Sequence, residues 1–290
     1  MKRLISAVLL CICLWLCTSC TTANEQPNIV ATTTPVFTFT QALCQNTPLN
    51  VTQLVQESIS CLHDYSLTAK HMMVLENASI LVISGGDIEA FLNDGLNTDT
   101  TIIDASTDID LICAEQHEHH DDHHHDIDPH YWLSPQNGRK MAHSIYTQLK
   151  IQYPQYASHF ETNIKLLDEK FDKLENFADT ELSSLRCRKI ITFHDGFTYM
   201  ADSFNLEIIK SIEEESGSEA SAKDLISICN LVTEHNLPAV FAEKNGSVGA
   251  AEVICRETGA KLYYLDMGIA SADYFETMYY NIKTLKEALG

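Results

Sequence analysis

The sequence predicts an α/β protein in which two parallel-sheet α/β lobes follow one another along the chain, joined by one long helix. Three observations predict it. Short β-branched runs alternate with helical segments every ~20–30 residues in both halves, the rhythm of parallel sheets with crossover helices. One long amphipathic stretch separates those halves. The 290 residues are 45% apolar and 20% charged, a balance that suits a packed core in one large domain or two lobes. The 19 basic and 40 acidic residues leave a formal net charge of −21. Such a balance excludes nucleic acid or an anionic membrane surface as the main partner, because both need basic patches. It permits a cation as ligand.

The first lobe is expected over residues 21–154 and opens on a polar tether, Thr21 to Asn28. Ile29 to Thr33 reads as a strand, Phe37 to Cys44 as a helix, and Asn50 to Val55 as a second short strand or turn. Thr68 to Asn77 reads as a helix and Ser79 to Ser84 as a buried strand ended by Gly85-Gly86. Ile88 to Asn93 opens another helix, and Thr101 to Ile103 is a further strand. Residues 115–128 (E-Q-H-E-H-H-D-D-H-H-H-D-I-D) have no apolar periodicity and read as a solvated loop. Pro135 starts a helix that Pro154 ends.

Phe160, Ile164, Leu167, Phe171, Leu174, Leu182 and Leu185 then recur on one face, so residues 155–186 read as the connecting helix. Two helices broken near Asn176 are the alternative. The second lobe, residues 187–290, repeats the rhythm: strands at Lys189–Phe193, Leu206–Ile209, Ala239–Glu243 and Lys261–Leu265. Helices are expected at Gly196–Phe204, Asp224–His235, Val248–Thr258 (stopped by Gly259) and Tyr274–Leu289.

Residues 1–20 stand apart from the fold. Lys2 and Arg3 precede an apolar run from Leu4 to Cys17, too short to span a bilayer and suited to the core of a secretory signal. Thr18-Ser19-Cys20 resembles the end of a bacterial lipoprotein signal, which would make Cys20 a lipid anchor; Cys17 stands where leucine is usual. An ordinary cleaved signal is the other reading. Export makes disulfides the expectation for Cys44, Cys61, Cys113, Cys187, Cys229 and Cys255. Their pairing stays open, with Cys44–Cys61 the first choice on proximity.

Four potential metal ligands fall at equivalent places in four units. His63 lies in C-L-H-D-Y-S-L-T and His130 in D-P-H-Y-W-L-S-P, each just before a helix. His194 lies in T-F-H-D-G-F and Asp266 in Y-L-D-M-G, each at the carboxyl end of a strand, where open α/β sheets collect ligands. Any one of them alone is an ordinary surface residue; the convergence is the signal. Asp64 and Asp195 follow ligand candidates and read equally as imidazole-orienting acceptors or as solvated carboxylates. Glu243 is a weaker site-lining candidate, and His71, His143, His159 and His235 sit in helical patterns as structural or surface residues.

On these motifs, from Ile29 to Gly290, the chain resembles the solute-binding proteins of zinc- and manganese-type ABC importers (cluster A-I). The Phe160-Glu161-Thr162-Asn163 segment and the long helix match as well. The approach to His63 departs from that family's usual P-G-x-x-P-H. The resemblance implies a rigid connecting helix and a metal site in the cleft between lobes. Its ligands would be His63 and His130 from the first lobe, His194 and Asp266 from the second. Three imidazoles and one carboxylate suit tetrahedral Zn²⁺, whereas Mn²⁺ prefers more oxygen donors. Four protein ligands leave no position for a reacting water, which argues for a binder rather than an enzyme, and no H-E-x-x-H is present.

His117, His119, His120, His123, His124 and His125 in the acidic loop read as auxiliary metal capture, or as a merely solvated charged loop. The expected partners are an ABC permease, its ATPase and, through the lipid, the outer face of the membrane; the chain is read as a monomer. A site split between lobes suggests release by lobe separation. The rival readings are Mn²⁺ or Fe²⁺ as cargo, a zinc hydrolase, and a surface adhesin or zinc buffer.

Overall fold

The computed structural model describes residues 28–57, 62, 65–92, 100–112, 128–212 and 220–290. The leader, Cys20, Cys61, His63, Asp64, Cys113 and the six loop histidines lie outside them.

The first sheet holds β1 (Asn28–Ala31), β2 (Asn50–Gln53), β3 (Ile80–Ile83) and β4 (Thr101–Asp104), all parallel, in the order β2-β1-β3-β4. Val30, Ala31, Leu81 and Val82 are fully buried, so the central strands show no alternation, as expected where helices cover both faces. The helices are α1 (Thr34–Leu43), α2 (Ala69–Glu76) and α3 (Pro135–Gln152), the last started by the Ser134 hydroxyl accepting from the Asn137 N–H. Among the described residues, the helix expected from Ile88 is a 3-10 turn at Ala90–Leu92; Asn93 lies outside them.

The connector is α4 (Ala157–Leu182), a single helix of 26 residues, about 39 Å at 1.5 Å per residue. Asn176 does not break it: its side-chain Nδ2 donates to the Asp172 carbonyl one turn back at 2.7 Å, and the buried face continues through Ala178 and Leu182. The second sheet holds β5 (Lys189–Thr192), β6 (Glu207–Ser211), β7 (Ala239–Glu243) and β8 (Lys261–Leu265), again all parallel, in the order β6-β5-β7-β8. Around it lie α5 (Thr198–Phe204), α6 (Ala222–Glu234), α7 (Gly249–Thr258) and α8 (Tyr274–Leu289). The halves share strand order without sharing sequence.

One apolar cluster runs through both lobes. It joins Ile29 and Val82 of the first sheet to Ile190, Phe241 and Leu265 of the second, through Phe160, Leu167, Phe171 and Leu174 of α4. Phe39 stacks on Phe171 (5.5 Å) and Tyr274 (4.8 Å) at its centre. Polar bonds cross between the lobes as well: Thr34 N–H to the Ile269 carbonyl at 2.9 Å, and the Tyr274 hydroxyl to the Trp132 carbonyl at 2.9 Å. Release by lobe separation would have to break this shared core.

The cysteine expectation is corrected where it can be seen. Cys44, Cys187, Cys229 and Cys255 are free thiols. Cys44 is buried at the end of α1 as a small apolar residue, and burial pushes its thiol up to about 12. Among the described residues no helix is long and apolar enough to cross a membrane.

Candidate metal centre

In both sheets the strand order reverses beside the first strand, which opens a crevice at the carboxyl ends of β1 and β3 and of β5 and β7. His130 enters from the segment before α3, ahead of a 3-10 turn at Tyr131–Leu133, and is buried. Asp128 Oδ1 accepts from the His130 backbone N–H and lies against His130 Nδ1, each at 2.9 Å. A carboxylate only accepts, so Nδ1 carries the proton and Nε2 carries the lone pair that a metal takes. Burial pushes the Asp128 carboxyl up, but the bonds from His130 outweigh it and hold the group below the usual carboxylate range.

The neighbours of His130 fix its segment to both lobes. The Tyr131 hydroxyl donates to the Ser84 carbonyl past β3. Trp132 packs edge-on against the imidazole at 5.4 Å and donates its indole N–H to the Met267 carbonyl past β8 at 2.7 Å.

His194 follows β5, and its ring meets that of His130 at right angles with centroids 5.3 Å apart. Imidazoles from separate lobes therefore face each other. Gly196 permits the approach: a Cβ there would lie 2.6 Å from His130 Nδ1. The Asp195 carboxylate is 3.4 Å from His194 Nδ1 and half-exposed.

Asp266 is buried just past β8, but its bonds lead elsewhere. Oδ1 accepts from the Gly268 N–H (2.9 Å) and the Ser271 hydroxyl (2.8 Å), and Oδ2 accepts from Lys244 Nζ at 3.2 Å. Among the described residues, no three ligating side chains close on one point. The fold thus unites His130 with His194 and turns Asp266 toward Lys244. Glu243 is buried at the end of β7.

Residues 29–288 match the family described as zinc-uptake complex component A, periplasmic. The chain belongs to that family. The zinc-binding lipoprotein AdcA of Streptococcus pneumoniae (strain ATCC BAA-255 / R6) is 27% identical to this ZnuA-family chain over 308 residues, 99% of this chain and 61% of AdcA. The high-affinity zinc uptake system protein ZnuA of Bacillus subtilis (strain 168) is 25% identical over 284 residues, 92% of this chain and 88% of that protein. A crystal structure of ZnuA superposes with a TM-score of 0.81 at 26% identity, covering 92% of this chain and all of that one. The chain spans little more than half, 56%, of the length of the Streptococcus pyogenes AdcA relatives it matches.

The ZnuA-family resemblance read from D-P-H-Y-W-L-S-P is thus borne out, as is the two-lobed parallel α/β fold. Three residues escaped the sequence reading. Asp128 is legible in the sequence, two positions before His130, but falls at the end of the segment read as the acidic loop. Gly196, in H-D-G, carried a weaker signal. Lys244 carried none, since its partner lies 22 residues away on another strand.

Proposed function

We propose that this ZnuA-family chain is an extracytoplasmic solute-binding protein that captures Zn²⁺ and hands it to the permease of an ABC importer driven by its ATPase. The observation that carries this reading is the meeting of His130 and His194 across the lobes, with Asp128 selecting the His130 tautomer that ligates. His63 and Asp266 complete an N₃O set suited to tetrahedral zinc. A closed set of four leaves no water to activate, so the chain binds and does not catalyse. His117, His119, His120, His123, His124 and His125 collect the ion first, and the acidic surface draws it in. Residues 1–20 act as the signal and Cys20 as the lipid anchor that holds the chain, as a monomer, at the outer face of the membrane; the lipoprotein name of the pneumococcal relative supports this.

The test uses the chain with its six loop histidines changed to alanine. His130→Ala and His194→Ala should each weaken zinc binding by more than about a hundredfold in a chelator competition, beyond the range of losses from outer-shell residues. Unchanged affinity in either variant sinks the site. Manganese displacing zinc at equal concentration would move the cargo to the rival metal.

A further inference from the structure

Resting on the assignment of Asp266 as a zinc ligand, we propose that Lys244 is a built-in competitor for that carboxylate: it holds Asp266 when the site is empty and sets how tightly zinc is kept. The geometry is specific. Asp266 Oδ1 is committed to its own loop, through the Gly268 N–H and the Ser271 hydroxyl. Oδ2 is the oxygen left to bind a cation, and the Lys244 ammonium sits on it at 3.2 Å. The Asp266 side chain is 7% exposed and that of Lys244 53%, so a nearly dry anion is met by a cation still anchored in water.

Sheet register makes this pairing. β7 and β8 run parallel with Glu243 opposite Leu265, and the Lys244 N–H donates to the Leu265 carbonyl at 2.9 Å. The next residue of each strand, Lys244 and Asp266, is therefore delivered side by side. A buried carboxylate needs a compensating charge. The ammonium supplies one and zinc supplies another, and both cannot occupy Oδ2.

A displaced ammonium has somewhere to go. Nζ already lies 5.2 Å from the centroid of the Tyr280 ring. Asp273 and Glu276 line the same pocket of about 420 Å³ as Lys244 and Asp266. When zinc leaves, the ammonium returns and spares the fold a bare buried anion. A release device of this local kind suits a molecule whose lobes share one core.

The test compares the full-length protein with Lys244→Met, Asp266→Asn and the double variant, measuring zinc affinity by chelator competition and zinc loss by stopped-flow transfer to a chelator. Lys244→Met should bind zinc about fivefold tighter and release it correspondingly more slowly, the upper size of a half-exposed ion pair. The gain should vanish in the Asp266→Asn background. Zinc should also raise the melting temperature of Lys244→Met by more than it raises that of the parent, because only the empty form loses its counter-ion. Unchanged or weaker binding by Lys244→Met, with Asp266→Asn impaired, overturns the proposal and leaves the ligand assignment standing. An equal gain in both backgrounds overturns it in favour of a remote charge effect. Asp266→Asn with parental affinity removes the ligand assignment itself, and the proposal with it.

Discussion

At His130 a single carboxylate decides which ring nitrogen carries the proton, and the contrast with His71 shows how differently two buried histidines are held. His71 Nδ1 accepts from the Thr68 N–H at 3.2 Å, which leaves the proton on Nε2, and Nε2 donates to Glu57 at 3.1 Å. Nδ1 is spent on capping α2 and Nε2 on Glu57, so neither nitrogen is left over. His143 is likewise engaged at the surface with Asp168 at 2.9 Å. His130 instead gives Nδ1 to Asp128, and its ring meets that of His194. Asp128→Asn keeps the shape and removes the charge. Zinc affinity measured by isothermal titration should fall about 10- to 100-fold, the usual loss for an outer-shell partner, with the fold intact. Parental affinity would assign the orientation of His130 to Trp132 alone.

At the scale of elements, the carboxyl ends of β1 and β3 are tied together by Glu89. Its Oε1 accepts from the Thr32 hydroxyl (2.6 Å) and the Ser84 N–H (2.7 Å), and its Oε2 from the Gly85 N–H (2.9 Å). Gly85 takes φ +86°, and a Cβ there would strike Asp104 Oδ1 at 2.1 Å, so the turn needs glycine. Burial, helped by the charge of Asp104, pushes Glu89 up to about 7 against its three donated bonds. The folded state thus holds this proton more tightly than the unfolded chain. The stability gained is full below about 4.5 and is lost as pH rises through about 7. Urea unfolding of the parent between pH 5 and 8 should show a loss of up to about 3 kcal/mol that Glu89→Gln lacks. Parallel pH profiles in the two proteins would show that Glu89 is ionised in both states.

At the scale of the whole molecule, one apolar cluster through α4 joins two sheets that each look like a separate domain in the sequence. Phe171 lies at its centre, against Phe39 (5.5 Å) and Phe275 (5.0 Å). Phe171→Ala should cost about 3–5 kcal/mol, as large aromatic deletions in packed cores do. It should lower one common unfolding transition, seen alike by far-ultraviolet circular dichroism and by the fluorescence of Trp132. Two separated transitions would show that the lobes fold independently.

The element order was legible from the sequence because its signals are local. β7, β8 and α8 begin and end where periodicity and turn residues place them, and α4 follows its apolar face from Phe160 to Leu182. The motif D-P-H-Y-W-L-S-P likewise marked His130 through neighbours in the chain. What only the tertiary structure decided concerns residues far apart in sequence. Cys44 is a core thiol rather than a bridge, Gly196 lets one lobe touch the imidazole of the other, and Asp266 is held by Lys244. Local chemistry specifies which elements form; strand register and the burial of a shared core specify which of their ends meet, and composition and spacing carry no record of that.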